Sequence, residues 1–340
     1  MSYWMDGIEY IQGEVDYRKR CSIAFKKHSY GNGNRNKRFR VLCNRNRRAD
    51  KQGLLSTIFV LLPDIIEARN HGYTPVIDLC KNTRCQVFLQ EKKLAKKENA
   101  WEYYFTQPDR EITLNDVHQS RYVEEQIKNV CNPKYYIGDK FLQWNNEVQF
   151  LSLAIRRNIH LQQRIRYRII HEKNKLFPKN NRILGVGIRA GYRSGILRNA
   201  SLYNAHPEVG SCREYIENIE KRLVKWNYNS FFLHIDDREY LEKIKEYFGN
   251  SCIYLERPRF HFFQDALQDV CDEPDNFFVE LKNYSVRQRN EDYLVELYLL
   301  AQCDSLYASR GTGHNFSYLL NNQKYCHAEI VDLGEFHYKK

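Results

Sequence analysis

The chain has 340 residues, 42% of them apolar and 28% charged, with a formal net charge of +11. That length suits two domains of ordinary size, each with a real core. No run approaches the ~20 apolar residues that span a bilayer, and "MSYWMDGIEY" carries acidic residues where a signal peptide needs a basic start, so a cytoplasmic protein is expected. The ten cysteines show no C-x-x-C and no paired Cys/His spacing for zinc. Several fall in apolar runs, as reduced buried thiols do.

Residues 1–38 are polar and turn-rich ("YGNGNRNKR") and read as an irregular arm. "FRVLC" (39–43) reads as a strand. The apolar spacing of Leu54, Leu55, Ile58, Phe59, Leu62, Ile65 and Ile66 predicts a helix over 54–69, kinked at Pro63 and ended by Gly72. "TPVIDL" (74–79) follows as a buried strand, completing a unit that builds parallel sheets. "NAWEYYFTQP" (99–108) is an aromatic block closed by proline. Two basic clusters stand out, "KRFRVLCNRNRRADK" (37–51) and "RRNIHLQQRIRYRIIHEKNK" (156–175). Each is either a solvated face or a surface for an anionic substrate, an anionic membrane or nucleic acid. The second carries Ile159, Leu161, Ile165, Ile169 and Ile170 at amphipathic spacing, predicting a surface helix packed on a core.

The second half alternates more regularly. Strands are predicted at 182–189, 230–236, 252–256, 304–309 and 326–333. Helices are predicted at 213–226, with Tyr215, Ile216, Ile219, Leu223 and Val224 on one face, and at 238–248, 291–302 and 314–322. Five strands alternating with helices argue for an α/β doubly wound domain, with a boundary near "KNKLFPKNN" (173–181). The division is therefore an arm at 1–38, an N-terminal Rossmann-like domain at 39–178 and a C-terminal Rossmann-like domain at 179–340. Two such domains facing each other leave a cleft, and open α/β sheets bind ligands beyond the carboxyl ends of their strands.

Three motifs fall at such strand ends. "GVGIRAGYRSG" (185–195) ends a strand on Arg189, followed by Arg193 and Arg198. A guanidinium there either grips a diphosphate or makes a structural ion pair. Gly187 allows close backbone approach, although strand glycines also serve packing. "LHIDDRE" (233–239) sets Asp236 and Asp237 where a strand becomes a helix. An aspartate there caps the helix, meets a nucleoside edge or ribose, or does both. "SRGTGHN" (309–315) leads a strand into a helix, so Arg310, Gly311, Thr312 and Gly313 could seat phosphate on unpaired N–H groups. It lacks the G-K-[ST] ending of a P-loop. Gly53 in "QGLLS" (52–56), at a strand-to-helix junction of the first domain, would face the same cleft.

"ILGVGIRAGYR", "FFLHIDDREYLEKIKEYFG" and "YLLAQCDSLYASRGTGHNFSYLL" occur in the order and spacing of the fucosyltransferase-like superfamily. The chain resembles that group, which includes α1,6-fucosyltransferases, nodulation fucosyltransferases and protein O-fucosyltransferases. It is similar in particular to a bacterial branch found with capsule and surface-polysaccharide genes. The resemblance covers roughly residues 40–335. It implies an α/β fold of GT-B type, with two facing Rossmann-like domains and a cleft between them. It also implies a GDP-sugar donor, usually GDP-fucose, and inversion without a metal or other cofactor. Arg189 matches the arginine that grips the diphosphate. Asp236 and Asp237 match the acidic pair near guanine and ribose, and Gly311, Thr312 and Gly313 match a Ser-Ser-x turn that donates to the phosphates. The chain departs from the pattern at four places. Gly187 stands where a histidine or serine is usual, and Ala190 replaces the motif's second arginine or glycine. Gly191-Tyr192 replaces Thr-Asp, and Gly-Thr replaces Ser-Ser.

Inverting transfer needs a cation for the departing diphosphate and a base for the acceptor hydroxyl. Arg189, helped by Arg193 or Arg310, suits the first role. His206 and Glu208 in "NAHPEVG" are the candidates for the second. The expected partners are a nucleotide-sugar donor and a capsule or lipopolysaccharide glycan. If that glycan is lipid-linked, the basic face would lean on the anionic inner membrane. Rival readings are another GDP-hexose or a GDP-heptose as donor, or a glycan-binding relative without catalysis. Nucleic acid is not expected, because the basic runs lack interleaved aromatic residues.

Overall fold

The computed structural model describes residues 19, 23–45, 53–81, 98–128, 145–179, 181–190, 206–207, 209–259 and 284–336. The chain forms two compact units, residues 1–137 with 153–162 and residues 138–152 with 163–340.

In the first unit, Phe25–His28 is β1, Phe39–Leu42 is β2, Thr74–Ile77 is β3 and Val123–Gln126 is β4. They form one sheet in the order β1-β4-β2-β3. β2 runs parallel to both β3 and β4, and β1 is antiparallel to β4 at the edge. β1 lies inside the stretch that the sequence reads as an irregular arm. Its "FKKH" has no apolar alternation, because an edge strand held by backbone pairing needs none. Helix α1 (Leu54–Asn70) packs on β2 and β3. It runs unbroken through Pro63, and Gly72 follows its end at φ +73°. The far edge of the sheet, β3, is covered by amide side chains. Gln107 accepts from the Ile77 N–H at 2.8 Å and donates to the Ile77 carbonyl at 3.0 Å, where Asn99 also donates. A short helix, α2 (Leu114–Val117), is held by a reciprocal Thr113/Asp116 cap.

The basic segment 156–175 is two helices rather than one: α3 (Asn145–Asn158) and α4 (Gln163–Leu176). The break has a backbone cause. Residues 160–162 pair with the aromatic block, through Thr106 N–H to the His160 carbonyl (2.8 Å) and Gln162 N–H to the Tyr104 carbonyl (2.9 Å). Ile159, Leu161, Ile165 and Ile169 are buried as expected, while Ile170 is exposed. The unit division falls within α3 and again before α4, not near 173–181. α4 belongs to the second unit because Arg164 and Arg168 pair with Glu291 and Asp292.

The second unit holds β5 (Leu184–Ile188), a two-residue β6 (His206–Pro207), α5 (Cys212–Trp226), β7 (Phe231–Ile235) and α6 (Arg238–Phe248). They are followed by β8 (Cys252–Ile253), α7 (Val286–Leu300), β9 (Ser305–Ser309), α8 (Thr312–Asn321), β10 (Ala328–Val331) and β11 (Glu335–Phe336). The main sheet is parallel, in the order β10-β9-β5-β7-β8. Its first strand in sequence is central, and the chain leaves it first one way and then the other. Strand alternation assigns the two faces. Leu184, Val186, Ile188, Phe231, Leu233 and Ile235 pack with Tyr215, Ile219, Tyr240 and Ile244 of α5 and α6. The opposite face meets α7 and α8. Val224, expected on the packed face of α5, is exposed. α7 starts earlier than predicted, at a Ser285 cap. β6 and β11 form a separate antiparallel pair. No helix among the described residues is long and apolar enough to cross a membrane.

Candidate functional site

The strand order fixes where this sheet can take a ligand. Connections diverge between β5 and β9, which opens a crevice beyond their carboxyl ends. β5 is followed by Arg189, and β9 by Arg310 and the start of α8. The Arg189 N–H donates to Ser309 Oγ at 2.9 Å, so the two strand ends are stitched together. A Cβ placed on Gly311 would lie 3.5 Å from Arg189 Cδ and 3.8 Å from Nη1. The guanidinium therefore stands beside the first turn of α8, where three N–H groups precede the first intrahelical bond, from Asn315 N–H to the Gly311 carbonyl. One fixed cation and one helix start converge on a single spot, a chemistry suited to phosphate oxygens.

The two aspartates divide their duties. Asp237 is buried and caps α6, accepting from Tyr240 N–H at 2.8 Å. Asp236 accepts from Ala190 N–H at 3.1 Å, which ties the loop after β5 to the end of β7. Arg310 does not project freely into the crevice. It is buried, and its Nη1 donates to both Asp332 carboxylate oxygens at 2.8 and 2.9 Å. Gly313 is buried against α7, where an added Cβ would clash with the Tyr293 hydroxyl, so close helix packing accounts for this glycine. Gly53 caps α1 in the first unit and has open space around it. His206 lies on β6, paired with Phe336 of β11. Glu208, Arg193 and Arg198 lie outside the described residues.

Sequence reasoning missed a histidine. His314, on the first turn of α8, presses its imidazole onto Gly187. A Cβ there would stand 2.5 Å from its Cδ2 and 2.6 Å from its Nε2. Its Nδ1 lies 2.6 Å from the Ser309 carbonyl, so Nδ1 carries the proton and Nε2 is left as an acceptor. Burial, then the neighbouring His234, lowers its pKa to about 3, so the ring is neutral at any working pH. The ring thus fills the space that a side chain at position 187 would occupy.

Beneath the end of β7 lies a buried charged cluster. Glu296 of α7 accepts from His234 Nδ1 (2.8 Å), Arg257 (2.8 Å) and Arg259 (3.1 Å). Both arginines also donate to the Ile235 carbonyl. Burial alone would raise the Glu296 carboxyl, but Arg257, His234 and Arg259 reverse this and hold it well below the ordinary carboxylate range. Asp236 also acts on Arg257, so the end of β7 joins the aspartate pair to this buried cluster.

No family model matches the chain, and no curated protein does. Solved structures do. The α-1,6-fucosyltransferase NodZ soaked with GDP-fucose is 14% identical, with a TM-score of 0.44 over 84% of this chain and 92% of its own. The fucosyltransferase NodZ from Bradyrhizobium is 15% identical, with a TM-score of 0.43 over 84% and 93%. POFUT1 in its apo-form is 9% identical, with a TM-score of 0.48 over 87% and 98%. Over more than four-fifths of its length, this chain is similar to fucosyltransferases of known structure.

Proposed function

We propose that this chain is a glycosyltransferase of GT-B type, inverting and independent of metal, that takes its sugar from a GDP-sugar. GDP-fucose is the donor its motifs favour, and the acceptor is a glycan of the capsule or lipopolysaccharide kind. The observation that carries this reading is the meeting of Arg189 with the first turn of α8 at the divergence of β5 and β9. Arg310 assists only indirectly, by bonding Asp332 below the turn.

In the reaction, the bond between the anomeric carbon and the β-phosphate oxygen breaks as the acceptor oxygen attacks from the opposite face. Charge grows on the departing diphosphate, and Arg189 with the α8 N–H groups neutralises it. The acceptor proton passes to a base, for which His206 and Glu208 remain the candidates. The loose, oxocarbenium-like character of sugar transfer lowers the demand on that base.

The test is a donor panel of GDP-fucose, GDP-mannose and UDP-sugars, read by thermal shift and by nucleotide release. GDP-sugars should raise Tm and release GDP. Arg189→Ala should lose both responses by about 100-fold or more while keeping the wild-type Tm without donor. Selective binding of UDP-sugars, or undiminished turnover by the variant, would reject the assignment. The departures at Gly187, Ala190 and Gly191-Tyr192 favour a second reading, in which another GDP-hexose or a GDP-heptose replaces GDP-fucose; the same panel, with GDP-heptose added, separates the two.

A further inference from the structure

The donor site leaves the first basic cluster of the sequence without a role. Arg38, within that cluster, instead lines a concave pocket of about 420 Å³ in the first unit. Its position is well defined. Arg38 precedes β2, Tyr73 precedes β3, and Arg121 and Tyr122 precede β4. Lys27 lies on β1, opposite Glu124. The pocket therefore sits at the amino ends of the parallel strands. Gly53 and the expected acceptor side lie at the other end of the same sheet.

Its chemistry is a surplus of fixed cations around aromatic rings. The Tyr73 ring is sandwiched between the Arg38 and Arg40 guanidinium groups, each 4.1 Å from its centroid. The Tyr73 hydroxyl donates to Glu124 at 2.7 Å and accepts from Arg38. Arg40 also holds Glu124, at 2.7 and 3.2 Å, and so uses up the charge of that carboxylate. Burial pushes the Glu124 pKa up, but the Tyr73 and Arg40 bonds outweigh it and keep the group ionised. Arg121 stacks on the exposed Tyr122 ring, 5.3 Å from its centroid. Lys27 and Arg121 meet no carboxylate among the described residues. Three cations thus face a cavity whose single acid is already neutralised.

We propose that this pocket binds an acidic saccharide, a sugar ring carrying a carboxylate. Lys27, Arg38 and Arg121 would take the anion, the Tyr73 and Tyr122 rings would border the sugar ring, and the remaining lone pairs of Glu124 would accept from its hydroxyls. The volume suits one or two sugar rings, within the range of roughly 300–1,000 Å³ usual for small-ligand sites. Nucleic acid would call for a groove tracking many phosphates, and this pocket is a single short hollow between β1 and the strand starts. The proposal is independent of the donor reading and would hold for any enzyme or lectin built on this chain.

The experiment is ligand-observed NMR on the full chain at physiological salt, with three probes: digalacturonate, the matching neutral galactose disaccharide, and inorganic phosphate. Digalacturonate should saturate and bind at least about fivefold more tightly than either control. The exposed double variant Lys27→Ala/Arg121→Ala should weaken it about tenfold at unchanged Tm. The milder Arg121→Gln should give an intermediate loss. Failure of digalacturonate to bind, parity with phosphate or with the neutral sugar, or binding unchanged in the variants would each overturn the proposal.

Discussion

At the scale of single residues, the site turns on a glycine and a histidine that fit each other. Gly187 has no side chain, and the His314 ring fills the space one would need. Gly187→Ala should therefore cost about 1–3 kcal/mol, as overpacking of a tight site does. His314→Ala in that background should restore part of the loss, so the two changes combined should cost less than their sum. Urea denaturation of the two single variants and the double variant measures this coupling; strictly additive losses would contradict the contact. The sequence placed Arg189 just past a strand and Gly311 just before a helix, because such junctions leave local signatures. It could not disclose His314 as the partner of Gly187, because the two are joined only when α8 folds back onto β5. Nor could it show that Arg310 is spoken for, since Asp332 lies beyond an intervening helix and strand.

At the scale of elements, the acidic pair Asp236-Asp237 posed a choice between capping and ligand contact. The structure gives the cap to Asp237 and the strand-to-strand tie to Asp236. Asp237→Ala should cost about 1–2 kcal/mol through the lost α6 cap, and Asp237→Asn only a few tenths, since asparagine caps as well as aspartate. Chemical denaturation checks both; an alanine variant as stable as the parent would remove the capping role. Elements with strong periodicity were legible: α1, α5 and the five strands of the second sheet lie within a few residues of their expected positions. Those without it were not. β1 is written in charged residues because its backbone does the pairing. The break between α3 and α4 follows from pairing with the aromatic block more than fifty residues earlier, a long-range constraint that amphipathic spacing does not record.

At the scale of the whole molecule, each unit buries a carboxyl whose protonation couples to folding, with opposite signs. In the second unit, Glu296 is held below its ordinary value by its two arginines and His234. Its contribution is fully present above pH ~4.5 and fades as pH falls. In the first unit, burial raises Asp64 of α1 from 3.8 to about 7, although the Gln126 amide donates to it at 2.8 Å. The unfolded chain releases this proton near pH 4 and the folded chain keeps it until near 7, so stability declines as pH rises through that interval. Between pH 5 and pH 8 this single buried group should remove roughly 2–3 kcal/mol. Asp64→Asn has no proton to lose, and its amide oxygen can still accept from Gln126. Its stability, extrapolated from urea melts, should therefore fall between pH 5 and pH 8 by roughly 2–3 kcal/mol less than that of the parent. Equal declines in the two proteins would mean that Asp64 ionises freely in the folded state, and that α1 tolerates a buried charge which its apolar surroundings should forbid.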